Sequence, residues 1–543
     1  VPLVSVFVPA AVHSSLKRLI PSCSPSCVVV NFAFLNLLYL LVFITLKCLG
    51  QIPWWLNGTL LRNGPGTLKV GDMEFNHLFD GSAMLRRFHI ANGEVTFQSR
   101  YVQSKTYQNN QKAQKILYNE FGTRAVPDPC RSIFNRFLAV FKYGASLSDN
   151  SLISVYPFGD EFYTFSEVPF IHRIDHETLD TTKRVNLTKH VSIVSQTSHP
   201  HVMENGDVYN LGISITAKGP AYTIVRYPNN KNANMFSSAV IVATAPPRWK
   251  LNPGYMHTFG ITENYFVVVE QPMAISLMQC LKIQLLRNAP VSSILHSYED
   301  ESTLIHVIKR SDGQVYRTFE AKSFIYFHLI NQYEEDGHLV VDICCHKDAS
   351  PITRLYVESL KNYQTDPNYP DIFRGKAMRF VLPLDGDTVT MEKTKATARK
   401  TDNKYIQVTP EKLCSEGCEL PRINYDKYLG RPYRYFYALS YDHEVCGGLV
   451  KVDNETKTAK IWYEKSCHLS EPIFVPSPDS KSEDDGVILS SMLWGKERQH
   501  DVGLLVLDAT TMTELGRTTF TLPSPLGWCL HGWYRPATSS NHI

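Results

Sequence analysis

Leu449–Glu464 reads LVKVDNETKTAKIWYE: a short apolar run, a polar turn from Asp453 to Thr456, then a second run that returns through Ile461 and Trp462. Phe170–Val185 (FIHRIDHETLDTTKRV) and Leu504–Phe520 (LLVLDATTMTELGRTTF) follow the same plan. Each reads as a β-hairpin. Further turns fall at Gly159-Asp160, Asn205-Gly206-Asp207, Thr262-Glu263-Asn264, Asp312-Gly313 and Asp336-Gly337. Such pairs supply the positive φ angles that tight hairpins demand. Many short strands at recurring intervals, with few amphipathic helices, predict an all-β repeat architecture and a β-propeller in particular. Shared among seven blades, residues 51–543 give roughly 70 residues each, against about 40–45 for a minimal blade, so long loops must build a dome over one face. An array of β-sandwiches is the alternative, but it needs linkers, and no Pro/Ser-rich linker interrupts the chain.

The 543 residues are 43% apolar and only 20% charged, so the chain can bury a large core. With 55 basic against 52 acidic residues there is no basic stripe, which argues against a nucleic-acid partner. The twelve cysteines are scattered, and Cys414/Cys418 lack a second pair at metal-binding spacing, so a reducing compartment fits best. Val28–Leu46 is a run of 19 residues without charge, preceded by Lys17 and Arg18. On length alone it suits a membrane segment. Patterning changes abruptly at GQIPWWLNGTLLRNGPG. Residues 1–50 therefore read as a segment apart, either membrane-directed or an artefact of gene assembly, and 51–543 as the folded domain.

Of the 19 histidines, four share a setting beside a strand and among apolar or aromatic neighbours: His199 in TSHPHV, His257 in PGYMHTFGIT, His328 in FIYFHLINQ and His531 in WCLHGWY. Their wide separation is what a propeller axis produces, since each inner strand comes from a different blade. His201, two residues after His199, can face the same side of a strand, and spacing leaves the choice between them open.

The motifs WLNGTLLRNGPG, FNHLFDG, EFGTRAVPDPC, TSHPH, MHTFG, FHLIN, SEPIFVPSP, EDDGVILS and LHGW together resemble the carotenoid cleavage oxygenase family from Ile52 to Tyr534. Longer runs such as RWKLNPGYMHTFGITENYFVVVEQP look most like an insect branch of that family. The resemblance implies a seven-bladed propeller with a loop and helix dome, and an Fe(II) ion on its axis held by His199, His257, His328 and His531. It also implies that Glu167, Glu419 and Glu471 accept the imidazole Nδ1–H groups, which leaves Nε2 for the metal. By the same resemblance Phe121 and Tyr255 line the cavity, where aromatic faces stabilise positive charge on a polyene.

The implied activity is O2-dependent cleavage of a carotenoid at its central 15,15′ double bond, with one half isomerised from trans to 11-cis to supply visual chromophore. An eccentric 9′,10′ dioxygenase and a non-oxidative retinyl-ester isomerohydrolase are the alternatives. His77, Asp80 and the Glu483–Asp485 acidic cluster are expected to be structural. Residues 270–288 read as an amphipathic stripe with Ile275, Leu277, Met278, Leu281, Leu285 and Leu286 near one helical face and Lys282 and Arg287 beside it. For a lipid-stored substrate this stripe suggests docking on a membrane surface, with Cys130 as a lipidation candidate nearby. The expected protein is cytoplasmic, peripherally membrane-associated and without an obligate protein partner.

Overall fold

The computed structural model describes residues 44–47, 49–126, 147–230, 234–286, 289–362, 374–441 and 447–537. Every turn named above joins two antiparallel strands. At Asp336-Gly337 both residues have positive φ, 49° and 74°, as a two-residue hairpin requires. The strands assemble into seven sheets of four to six strands, accompanied by two small two-stranded ribbons. This is the seven-bladed propeller.

The apolar runs are continuous because each blade is buried on both faces. Leu504, Leu505, Val506 and Leu507 are all fully buried, with Leu504 and Val506 packing toward the first blade and Leu505 and Leu507 toward the sixth. Val267 and Val269 face the fifth blade, and Phe266 and Val268 the third. Each fully buried aliphatic side chain contributes roughly 1.5–3 kcal/mol. Seven such clusters fill the seven gaps between neighbouring blades.

The ring closes where Gly532–Pro536 pairs antiparallel with Gly58–Pro65, so one blade mixes the two ends of the domain. The pairing is close: a Cβ on Gly532 would lie 2.4 Å from the Leu61 carbonyl oxygen.

The structure departs from the sequence expectations in two places. The folded domain begins before residue 51, because Ile44–Lys47 is the outer strand of the first blade and Leu49–Gly50 pairs with Gly516 and Arg517 in the seventh. Most of Val28–Leu46 lies outside the described residues, and its last three residues belong to that outer strand. Among the described residues no helix is long and apolar enough to cross a membrane. Among its described residues the 270–288 stripe is helical from Leu277 to Leu286, since Glu270 ends one strand and Met273–Ile275 forms another.

Candidate metal centre

Each blade delivers one residue to the axis. His531 immediately precedes the closing strand Gly532–Pro536, and His257 precedes the inner strand Gly260–Ile261. His199 sits in a break between Ser195–Gln196 and His201–Val202, where Pro200 has no N–H to continue a ladder. His328 lies in the inner strand Ile325–Glu335 at a bulge, the register shifting between Tyr326 and Leu329. Such a bulge re-aims a side chain. Glu167, Glu419 and Glu471 come from the three remaining blades.

The four histidines are buried, and one nitrogen from each lies within 4.8 Å of the others. His257 Nδ1–H donates to Glu167 at 2.8 Å, His328 Nδ1–H to Glu419 at 2.6 Å and His531 Nδ1–H to Glu471 at 2.9 Å. Each carboxylate fixes a tautomer and leaves Nε2 with a lone pair. His199 has a phenol instead, its Nδ1 lying 3.4 Å from the Tyr156 hydroxyl.

Burial pushes His199 well below the ordinary imidazole value, reinforced by His531, His257, His328 and Arg422. Burial likewise lowers His531 to about 4, against the pull of Glu471. Burial raises the Glu419 carboxyl, but His328 and His346 outweigh it and hold the group well below the usual carboxylate range. For Glu471, Arg422, His531 and Arg62 overcome burial and hold it at about 2.

The donors suit a cation. The Nε2 atoms of His199 and His257 are 3.1 Å apart, and His328 Nε2 is buried with no hydrogen-bond partner. Lone pairs converging in a dry site are costly unless a positive ion lies between them. Neutral imidazole donors suit first-row divalent metals, ferrous iron included.

His201 is turned elsewhere. Its Nε2 lies 2.8 Å from the Phe259 carbonyl oxygen and its Nδ1 3.1 Å from the Tyr425 hydroxyl, so both nitrogens are engaged away from the cluster.

A cavity of about 700 Å³ opens on the centre, with His257, His328 and His531 in its wall. Phe121 and Tyr255 line it, with Phe79, Ile283, Trp494 and Trp528 among the other wall residues. Its size and mostly apolar wall suit an apolar small-molecule ligand. Tyr255 also donates its hydroxyl to Glu167 and lies 2.9 Å from His257 Nδ1. Phe121 is held by the residues expected to be structural. His77 packs on its ring at 4.7 Å, while Asp80 accepts the Gly122 N–H at 2.8 Å and the Thr123 hydroxyl at 2.6 Å. Asp80 is fully buried rather than part of an exposed turn, and burial raises its carboxyl to about 6.

Sequence reasoning missed the second partners of the carboxylates. Arg62 and Arg422 flank Glu471 at 3.1 and 3.0 Å, and His346 donates to Glu419 at 2.7 Å. The one available signal is a charged residue inside an apolar run, as in LLRNG and ELPRI.

The family model described as retinal pigment epithelial membrane protein matches residues 40–536. A carotenoid isomerooxygenase of Galleria mellonella is 51% identical, covering 90% of this chain and 92% of its own. One of Drosophila melanogaster is 46% identical over 90% of each chain. The β,β-carotene 15,15′-dioxygenase of Gallus gallus is 39% identical over 90% of this chain and 94% of its own. Among solved structures, a variant of Synechocystis apocarotenoid oxygenase superimposes with a TM-score of 0.72 at 23% identity, covering 92% of this chain and 97% of that one. The cobalt-substituted form of the same enzyme gives 0.71 at 22% identity, covering 91% and 96%.

Proposed function

The chain belongs to the carotenoid oxygenase family, and from that premise we propose that it is an Fe(II) enzyme that cleaves a carotenoid at the 15,15′ double bond and isomerises one half. The convergence of four neutral imidazoles on an apolar cavity carries this reading, with the isomerooxygenase and 15,15′-dioxygenase names of its relatives. His199, His257, His328 and His531 would hold the ion, which when bound supplies O2 activation. The other roles belong to the chain. Glu167, Glu419 and Glu471 orient three of the rings and raise their basicity. The apolar wall excludes water and aligns the polyene. Phe121 and Tyr255 offer aromatic faces to developing positive charge, which lowers double-bond order and permits rotation about the 11,12 bond.

The products test this. One C40 carotenoid should yield two C20 aldehydes, one 11-cis and one all-trans in equal amounts, each carrying an oxygen atom from labelled O2. Chromatography with mass spectrometry measures both properties. Longer apocarotenals would indicate the eccentric dioxygenase, two all-trans halves would remove the isomerase, and turnover without O2 would indicate the isomerohydrolase. Production of 11-cis retinal would make the enzyme a source of visual chromophore.

The same reading includes docking on a membrane at the cytoplasmic side. Met278, Leu281 and Leu286 are exposed at 63%, 47% and 47%, Lys282 is exposed among them, and Leu251 beside the helix start is exposed at 59%. Leu277 and Leu285 are half-buried, so they are weaker lipid contacts than the sequence pattern suggests. The opposite side of the helix, with Cys280, Ile283 and Gln284, lines the cavity. A substrate leaving the bilayer there would enter directly. Met278→Asp with Leu281→Asp should sharply reduce liposome co-sedimentation while preserving turnover of detergent-solubilised carotenoid. Equal losses in both assays would assign these residues to packing. Arg287 and Cys130 lie outside the described residues.

A further inference from the structure

We infer that His346 is a positioning residue of the metal centre, setting Glu419 and through it the His328 ring, while its own imidazole forms part of the cavity wall. The inference rests on the reading of His328 as a metal ligand. Glu419 accepts three hydrogen bonds: His328 Nδ1–H at 2.6 Å and the Leu420 N–H at 2.8 Å on Oε2, and His346 Nε2–H at 2.7 Å on Oε1. With both oxygens engaged, the carboxylate cannot turn without breaking a charge-assisted bond. The other two carboxylates are steadied differently, Glu471 by guanidinium groups and the Gly532 N–H, Glu167 by Tyr255. Among the described residues, Glu419 alone of the three relies on a second imidazole.

The backbone makes room for this imidazole. His346 ends the strand His338–His346, and its ring stands edge-on to Phe327 at 5.6 Å, beside His328. Gly375 lies against it: a Cβ there would meet the Cys418 carbonyl oxygen at 2.6 Å and His346 Nε2 at 3.0 Å. The glycine therefore lets three segments close around the His346–Glu419 bond. His346 is also in the cavity wall, so one side chain touches both the support of the metal and the space for the polyene.

A histidine serving only to fill the fold would not influence the metal. Two variants separate the roles, read by Co(II) affinity and the Co(II) visible spectrum of the purified full chain, with melting curves alongside. His346→Phe keeps an aromatic wall and removes the donor. It should weaken Co(II) binding by about tenfold, the lower end of the effect of losing an outer partner of a ligand, and shift the spectrum. His346→Gln keeps an N–H donor at similar reach and changes the wall. It should bind Co(II) as the parent does, with KM raised and kcat little changed. Parent-like affinity and spectrum in His346→Phe would overturn the inference. So would equal metal loss in both variants, and if His346→Phe does not fold, metal loss in His346→Gln alone does the same. A parent protein that binds no Co(II) would overturn the metal reading itself, and this inference with it.

Discussion

Alanine at any one of His199, His257, His328 or His531 should abolish stoichiometric metal and reduce carotenoid cleavage to background, whereas His201→Ala should keep its metal. The four rings converge without a carboxylate ligand, so each imidazole is a quarter of the donor set. Removing one also frees its partner: without His328, Glu419 loses a 2.6 Å donor in a buried site. His201 is half-buried and has the same chemistry, but its nitrogens serve Phe259 and Tyr425. Its loss should cost about 1–3 kcal/mol for the buried partners left unpaired. Metal analysis on each purified variant, with melting curves, separates the two outcomes. A His201→Ala protein as metal-free as His199→Ala would reverse the assignment.

Glu471→Gln should be the most damaging of the three carboxylate replacements, lowering both stability and metal affinity. The side chain is 3% exposed and flanked by Arg62, Arg422, the His531 Nδ1–H and the Gly532 N–H. A neutral amide in that place leaves two buried guanidinium groups uncompensated. Breaking a buried ion pair from one side costs about 3–5 kcal/mol. Gln also loses the negative acceptor that orients His531, so metal affinity should fall toward 100-fold, the upper end of the usual range of about 10–100-fold. Glu167 is 35% exposed and pairs with no guanidinium among the described residues, so Glu167→Gln should remain near tenfold with little change in melting temperature. Equal effects at the two positions would show that the arginines around Glu471 do not set its importance.

The hairpins were legible in the sequence because their causes are local. Positive-φ residues such as Asp336-Gly337 mark the turns, and runs such as LLVL mark strands buried on both faces. The four histidines and three glutamates were legible as motif positions, each beside a strand. Three things came only from the assembled fold. Residues 44–47 and 49–50 join the propeller because their partners lie at Glu94–Phe97 and Gly516–Arg517, far along the chain. The family resemblance had already singled out His199, and the fold supplied the reason that it and not His201 faces the axis: Pro200 interrupts the inner strand and the Phe259 carbonyl takes the second ring. Tyr156, Arg62, Arg422 and His346 reach the site across 43, 409, 49 and 73 residues of sequence, respectively, to His199, Glu471, Glu471 and Glu419. Turn chemistry and apolar alternation act between neighbours and can be read from a string. A hydrogen bond between blades exists only after the ring has closed and brought the inner strands to one axis.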